Sequence, residues 1–472
     1  MADFIDISRT KGMPLCSLEY STSGIAWNCL NHQLIPDDYF PEAFITSYET
    51  GNVPVIEFYL NDSSGFTNIG PRIIVSGKMV PIEPGSNLCP GLLNLDHQKS
   101  LDLILLNTRG AVYRYFNLSL GIRPTMESYD FLPAGLNPDL TGYGTGDLNN
   151  DNYPDFILTP RYQPPILYLS NNDPISKNTP PLYPFRQRCD TRQVLIFDIN
   201  RDQFKDIYFI NFGRPNTFYL NLGNGQFLEQ SCPLGIDLCA GSTGAAVADY
   251  NHDGWIDIFV TGYGVSRLFI NREGVKFDDR THSFRAGYTG YCNDATAGDF
   301  DNDGFIDLYL AIGNPDASPA KSNLLLKNHR GEYFESLSDL ITGISESSTC
   351  ATWVDYNNDG HLDLWVGNHG KNRMFENRDQ TPNSIRLNLQ AGLSGTHTNL
   401  PAYNGEFILL DPSGQELCRK QIIYDREPGN SLIFTGIEAG ITYTIRIIHP
   451  WLSQPYEITG QAGRQLVLDG IY

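Results

Sequence analysis

Positive charge is scarce in this sequence. Lys and Arg number 33 against 54 Asp and Glu, giving a formal charge of −21. That balance argues against nucleic-acid binding, which needs a basic footprint. Long apolar runs are also missing, so no membrane-spanning segment is expected. The opening stretch, MADFIDISRTKGMPLCSLEY, has neither a basic n-region nor an apolar h-region. It predicts a cytoplasmic chain, or a secreted or cell-surface one if a signal peptide was removed. The 9 cysteines include no CxxC pair, so the usual zinc spacings are excluded and the usage leans towards a reducing compartment. No Ser-His-Asp set, phosphate-cradling Gly loop or catalytic metal pattern stands out.

Glycine, proline and aromatics are plentiful instead: 44 Gly, 29 Pro and 12 % aromatic residues. Many short strands joined by turns are the expected result. The 472 residues are 41 % apolar, enough for sizeable cores.

The informative stretch is GDFDNDGFIDLYL, from Gly298 to Leu310. Asp299, Asp301, Asp303 and Asp307 stand at positions 1, 3, 5 and 9 of a loop, with Gly304 at position 6. A hard cation such as calcium takes six to eight oxygen ligands, and carboxylates at alternate positions can converge on it. Phe305, at position 7, would add a backbone carbonyl. Apolar residues follow at once, so the loop joins strands and is not a helix-flanked EF-hand.

The pattern D-x-[DN]-x-D-x-x-x-D occurs five times, starting at Asp147, Asp198, Asp249, Asp299 and Asp355, at intervals of 51, 51, 50 and 56 residues. Each copy follows a small-residue strand and precedes an apolar strand. A third strand ending in Asn, as in FYLN, LFIN, LLLKN and MFEN, and a fourth after a Gly turn complete the unit. Four short antiparallel strands per unit predict a propeller blade. Two degenerate units precede these five. One has Asn94, Asp96, Gln98 and Asp102 in the ligand places and Lys99 at the glycine place, which disfavours a cation there. The fold class expected is all-β: a seven-bladed β-propeller over 1–378, then a small antiparallel β-sandwich over 379–472. The N-terminal DFIDIS matches the missing outer strand of the last blade and is expected to close the ring. Asp-rich turns without metal are the competing reading of the loops.

The five loops, with their trailing strand and N-x-G-x-F turn, resemble FG-GAP/VCBS repeats, the calcium-stapled blades of integrin α-like propellers. A propeller followed by a small β-domain is also similar to ASPIC/UnbV proteins. The resemblance implies about five structural Ca²⁺ ions. Their ligands would be Asp147, Asn149, Asp151, Tyr153 and Asp155; Asp198, Asn200, Asp202, Phe204 and Asp206; Asp249, Asn251, Asp253, Trp255 and Asp257; Asp299, Asp301, Asp303, Phe305 and Asp307; and Asp355, Asn357, Asp359, His361 and Asp363. Asn152 and Gln203 replace Gly at position 6, and Gln203 is expected to weaken its site. It further implies that partners bind on the face opposite these loops.

Loops predicted for that face are rich in Arg and Tyr. The candidates for contact with a protein, glycan or small-molecule ligand are Arg109, Tyr143, Arg161, Arg188, Arg214, Tyr263, Tyr291 and His369. Arg192 and Asp294 sit at similar offsets before a loop and are the candidates for catalysis. Cys189, Cys239, Cys292 and Cys350 precede first strands and read as buried fillers. Two functions remain open: a calcium-stabilised binding module, or a bond-forming enzyme of bacterial secondary metabolism with its pocket at the channel mouth.

Overall fold

The computed structural model describes residues 4–6, strand backbones between 21 and 129, and most of 140–469. Apart from the single helical turn Ser231–Leu234, every helix or strand among the described residues is a strand. The fold is all-β.

Strands are grouped in antiparallel sheets, each running to and fro in chain order. The first comprises Ser21–Asn28, Glu42–Glu49, Val53–Asn61 and Phe66–Gly70. The second comprises Cys89–Leu93, Asp102–Leu106, Val112–Phe116 and Thr125–Tyr129. The third has Leu140–Gly146, Asp155–Pro160 and Ile166–Tyr168, with Leu182 bridging to Leu167 in place of a fourth strand. Asp190–Phe197, Asp206–Phe212, Thr217–Asn221 and Phe227–Glu229 make the fourth. Ser242–Ala248, Asp257–Val265, Arg267–Arg272 and Lys276–Asp279 make the fifth. Thr289–Gly298, Asp307–Ile312, Leu324–His329 and Tyr333–Ser336 make the sixth.

In the last of this series, Ser347–Val354, Asp363–His369 and Arg373–Asn377 are joined by Phe4–Asp6 from the other end of the chain. Phe4 lies opposite Asn377 and Asp6 opposite Phe375. Phe4 also packs against Phe300 and Trp353, with ring centroids 5.8 and 6.2 Å away.

The cores lie between consecutive sheets, not within one. Val194 and Ile196 of the fourth sheet pack with Ile157 of the third, while Leu195 and Phe197, on the other face of the same strand, pack with Ala245 and Val247 of the fifth. Strand alternation therefore serves two interfaces at once. Innermost strands are small because neighbours press on them. A Cβ on Gly298 would lie 2.6 Å from Trp353 Cδ1.

The residues from Ile385 onward form two further sheets. One orders Ser431–Phe434, Ile385–Gln390 and Arg464–Asp469; the other orders Glu416–Gln421, Glu406–Leu410, Thr442–Ile448 and Tyr456–Gln461. Leu387, Phe407, Leu409, Phe434, Ile445 and Ile447 are packed together between them. The expected all-antiparallel sandwich needs correction: Ile385–Gln390 and Arg464–Asp469 pair in parallel. Parallel pairing needs a long crossover, and here the remainder of the unit provides it.

Candidate metal loops and the opposite face

Each Asp loop connects the first and second strands of its sheet. Position 1 receives backbone N–H groups from within the loop: Asp303 and Gly304 donate to Asp299 at 3.0 and 2.7 Å, and Asp359 and Gly360 to Asp355 at 3.0 and 2.9 Å. Position 5 receives the N–H of position 7, at 2.9 Å for Tyr153, Phe204, Trp255 and His361 and 3.0 Å for Phe305. Position 9 ties the loop to the third strand. Asp257 accepts from Tyr250 N at 2.9 Å and from Asn271 N at 2.8 Å, and Asp155, Asp206, Asp307 and Asp363 repeat the arrangement.

Two backbone requirements shape these loops. Position 6 is left-handed, with φ of 71° at Gln203, 84° at Gly254, 94° at Gly304 and 87° at Gly360. Asn152 lies outside the described residues. Position 4 is left-handed in all five, with φ between 56° and 61° at Asn150, Arg201, His252, Asn302 and Asn358. The sequence reading missed this, although Asn at three of the five places was a signal. Position 4 also reaches the next loop: Asn150 donates to Gln203 O at 3.2 Å, Asn302 donates to Gly360 O at 2.9 Å, and Arg201 donates to Gly254 O. Arg201 stacks 4.0 Å over Trp255.

The Asn closing the third strand was noted in the sequence without a role, and it has one. Asn271 Nδ2 bonds Ile199 O of the preceding sheet's loop; Asn221, Asn328 and Asn377 do the same to Leu148, Tyr250 and Phe300. Loops and sheets are thereby clipped in succession.

The donor set fits a hard cation. Oxygen atoms of Asp299, Asp301 and Asp307 lie within 4.8 Å of one another. Burial pushes the Asp299 carboxyl up to about 7 and Asp307 well above the usual range, with the neighbouring carboxylates adding to both. Burial likewise raises Asp249 to about 6. Such crowded, dehydrated carboxylates favour either protonation or a nearby cation. Protein cations already meet three of the loops. Lys327 bonds Asp301 and Asp303, Arg386 pairs with Asp355, and the buried Lys205 lies close enough to Asp198 to act on it electrostatically. No sign in the sequence marked Lys327 or Arg386 as partners of these loops.

The residues from Ser384 onward touch this same face. Gln421 bonds Lys205 Nζ at 2.9 Å and the Asp198 backbone N–H at 3.1 Å, Gly436 N donates to Asn302 O at 3.1 Å, and Ser384 donates to Gly360 O at 3.0 Å.

At the opposite ends of the inner strands, each of the five repeats carries a one-residue bulge six residues before position 1, at Thr141, Arg192, Thr243, Asn293 and Thr349. The bulge separates the two catalytic candidates. Arg192 is itself a bulge residue and exposed, whereas Asp294 is the residue after one and is 3 % exposed. Asp294 accepts from Ala351 N of the next sheet at 3.2 Å, as Gln193 accepts from Ala245 N at 2.7 Å. The similar offsets read from the sequence thus differ by one residue, which reverses the side chain. Asp294 is an inter-sheet acceptor, not a partner of Arg192.

Several face candidates do come together. Arg161 and Arg192 reach Asp190 at 3.8 and 2.9 Å. Arg192 stacks 4.9 Å from the centre of Phe212, Phe212 meets Tyr263 at 5.5 Å, and Tyr263 meets Tyr291 at 4.9 Å. Arg188 and Arg214 are exposed, Arg188 next to Cys189 in the chain and Arg214 acting on the Cys189 thiol that burial otherwise pushes up. Tyr143 is half-buried in its strand opposite Leu158. His369, exposed at the end of its strand opposite Ser347 and Ser21, has its pKa lowered by partial burial. Arg109 and Cys239 lie outside the described residues, as do Asn94 and its neighbours up to Leu101. Cys189 and Cys292 are buried and Cys350 half-buried, as fillers should be.

A family model described as an FG-GAP-like repeat matches residues 198–260 and 249–310. The chain carries FG-GAP-like repeats. Cartilage acidic protein 1 from Xenopus tropicalis is 28 % identical over 190 residues, covering 38 % of this chain and 29 % of that protein. The Mus musculus protein matches over the same shares at 28 %. The match thus spans less than a third of these relatives. Among solved structures, an Agrocybe aegerita lectin specific for non-reducing terminal N-acetylglucosamine covers 78 % of this chain and 96 % of its own, at 14 % identity and a TM-score of 0.47. BBS1N in complex with ARL6DN covers 79 % and 96 %, at 9 % identity and a TM-score of 0.49. At these TM-scores neither likeness bears on function. The FG-GAP-like repeats matched by the family model contain the Asp198, Asp249 and Asp299 loops in full.

Proposed function

We propose that this chain is a β-propeller binding module stabilised by calcium in its Asp loops, with its ligand surface on the opposite face. In this reading the sheets are seven blades over 1–378, closed by Phe4–Asp6, and 379–472 form a sandwich seated on the loop side. The sandwich leaves the far side for a protein, glycan or small molecule. The observation that carries the reading is the row Arg192, Phe212, Tyr263 and Tyr291, which crosses three consecutive sheets. Tyr263 and Tyr291 are 44 % and 48 % exposed, an unusual cost for paired rings unless a ligand covers them.

The test has two parts. Calorimetric titration of metal-free protein with Ca²⁺ should show saturable binding. Immobilised glycans and peptides should then be screened with the wild type and with Tyr263→Ala/Tyr291→Ala. A ligand retained by the wild type should be lost by the double variant at unchanged melting temperature. Retention by both proteins would overturn the placement of the surface.

A further inference from the structure

We propose that the face opposite the Asp loops holds a site for an acidic carbohydrate, its carboxylate or sulfate on Arg192 and its rings on Phe212, Tyr263 and Tyr291. The site rests on the reading of this face as the ligand surface and names the ligand class for it.

Five structurally equivalent bulge positions face this end, and Arg192 is the one long cation among them. Thr141 Oγ1 donates to Thr159 O at 3.0 Å, Thr243 Oγ1 to Cys292 O at 2.6 Å, and Asn293 Nδ2 to Ser348 O at 2.7 Å. Those short side chains serve the scaffold, and Thr243 and Asn293 tie one inner strand to the next. Arg192 makes no such tie to a carbonyl among the described hydrogen bonds. Its guanidinium is held by Asp190 at 2.9 Å and by the Phe212 ring, with 40 % of the side chain exposed. A long cation fixed by two neighbours and left open to solvent is preorganised to receive an anion.

The surrounding charge agrees. Arg161 and Arg192 both pair with Asp190, and Arg214 lies close enough to the neighbouring Cys189 to act on its thiol. Three guanidinium groups thus gather beside Asp190 and Cys189 on a chain whose formal charge is −21. The Asp190 side chain is only 6 % exposed, so the guanidinium groups and not the carboxylate meet the solvent.

The rings favour a sugar over a peptide added as a strand. Phe212, Tyr263 and Tyr291 follow one another at 5.5 and 4.9 Å. Such a row suits the apolar C–H faces of successive sugar rings, and Tyr hydroxyls can bond sugar hydroxyls. A peptide adding as a strand is excluded at this edge, because Tyr263–Val265 already pairs with Thr289–Tyr291.

The experiment is calorimetric titration of the whole chain with four probes: a galacturonate tetrasaccharide, a chondroitin sulfate tetrasaccharide, neutral maltotetraose and hexaglutamate. The expected result is binding of one or both acidic sugars, at least tenfold weaker in Arg192→Ala and in Tyr263→Ala, and partly rescued by Arg192→Lys. The two acidic probes separate a carboxylate from a sulfate. Equal binding of maltotetraose, still lost with Tyr263→Ala, would overturn the anion while leaving the face as the ligand surface. Hexaglutamate binding as well as the sugars, unaffected by Tyr263→Ala, would overturn the carbohydrate in favour of an acidic peptide. Binding of none of the four probes overturns the site. Unchanged thermal melts of the variants exclude loss of fold as the cause.

Discussion

Asn271 donates its side-chain amide to the carbonyl oxygen of Ile199, 72 residues earlier and one sheet back, at 3.1 Å. The same amide bonds Ile256 O at 3.0 Å, and its own oxygen accepts from Gly274 N at 2.8 Å. Removing it strands two buried carbonyls. Asn271→Ala should cost about 2 kcal/mol or more, since a lost partner exposes the full desolvation penalty of the groups left behind. Denaturant unfolding measures it, and a surface variant such as Val275→Thr gives the baseline.

Gln203 holds a left-handed φ of 71° where three other loops have Gly. Gln203→Gly should stabilise the chain by about 1 kcal/mol, because glycine adopts this region without the Cβ penalty. The loss of unfolded-state order works against that gain. A lower melting temperature for the variant would mean that the Gln side chain contributes something the backbone argument omits.

Arg386 reaches across from the second unit to pair with Asp355, both side chains being nearly inaccessible. Arg386→Ala should cost about 3 kcal/mol in metal-free buffer, the usual result of leaving a buried charge alone. Added Ca²⁺ should restore much of that loss, because a cation bound to the folded state stabilises by mass action. EDTA should lower the melting temperature of the wild type and lower that of the variant further. No EDTA effect on either protein would remove the metal from the account of these loops.

His449 is 4 % exposed, and burial with help from Lys205 lowers its pKa from 6.5 to about 4. The folded state therefore prefers the neutral ring. Its contribution is complete above pH 6.5 and is lost as the pH falls towards 4, where the unfolded chain takes up the proton first. At pH 5 the loss is about 2 kcal/mol. Unfolding free energies at pH 7 and pH 5 should differ less in His449→Gln than in the wild type, the carboxylates contributing equally to both.

Much of this was legible in the sequence because it is local and repeated. Asp299 to Asp307 announces a loop between strands by residue type and spacing alone, and five copies fix the rhythm of the sheets. That DFIDIS supplies an outer strand beside the one ending at Asn377 could be read from its likeness to KFDDRT, though the register with Phe4 opposite Asn377 could not. What escaped depends on backbone conformation or on distant partners. The bulges at Arg192 and Asn293 shift side chains by one place without changing the pattern of residue types. The parallel pairing of Ile385–Gln390 with Arg464–Asp469 joins segments with nothing local in common. Lys327 and Arg386 meet their carboxylates only through folding.

The pairing of Phe4–Asp6 with Arg373–Asn377 also sets an order of events during synthesis. Phe4–Asp6 is synthesised well before Arg373–Asn377, the strand it pairs with. Because the cores lie between neighbouring sheets, the intervening sheets can pack in turn as each is completed. Phe4 finds its ring partners only once Phe300 and Trp353, far later in the chain, have been made and packed.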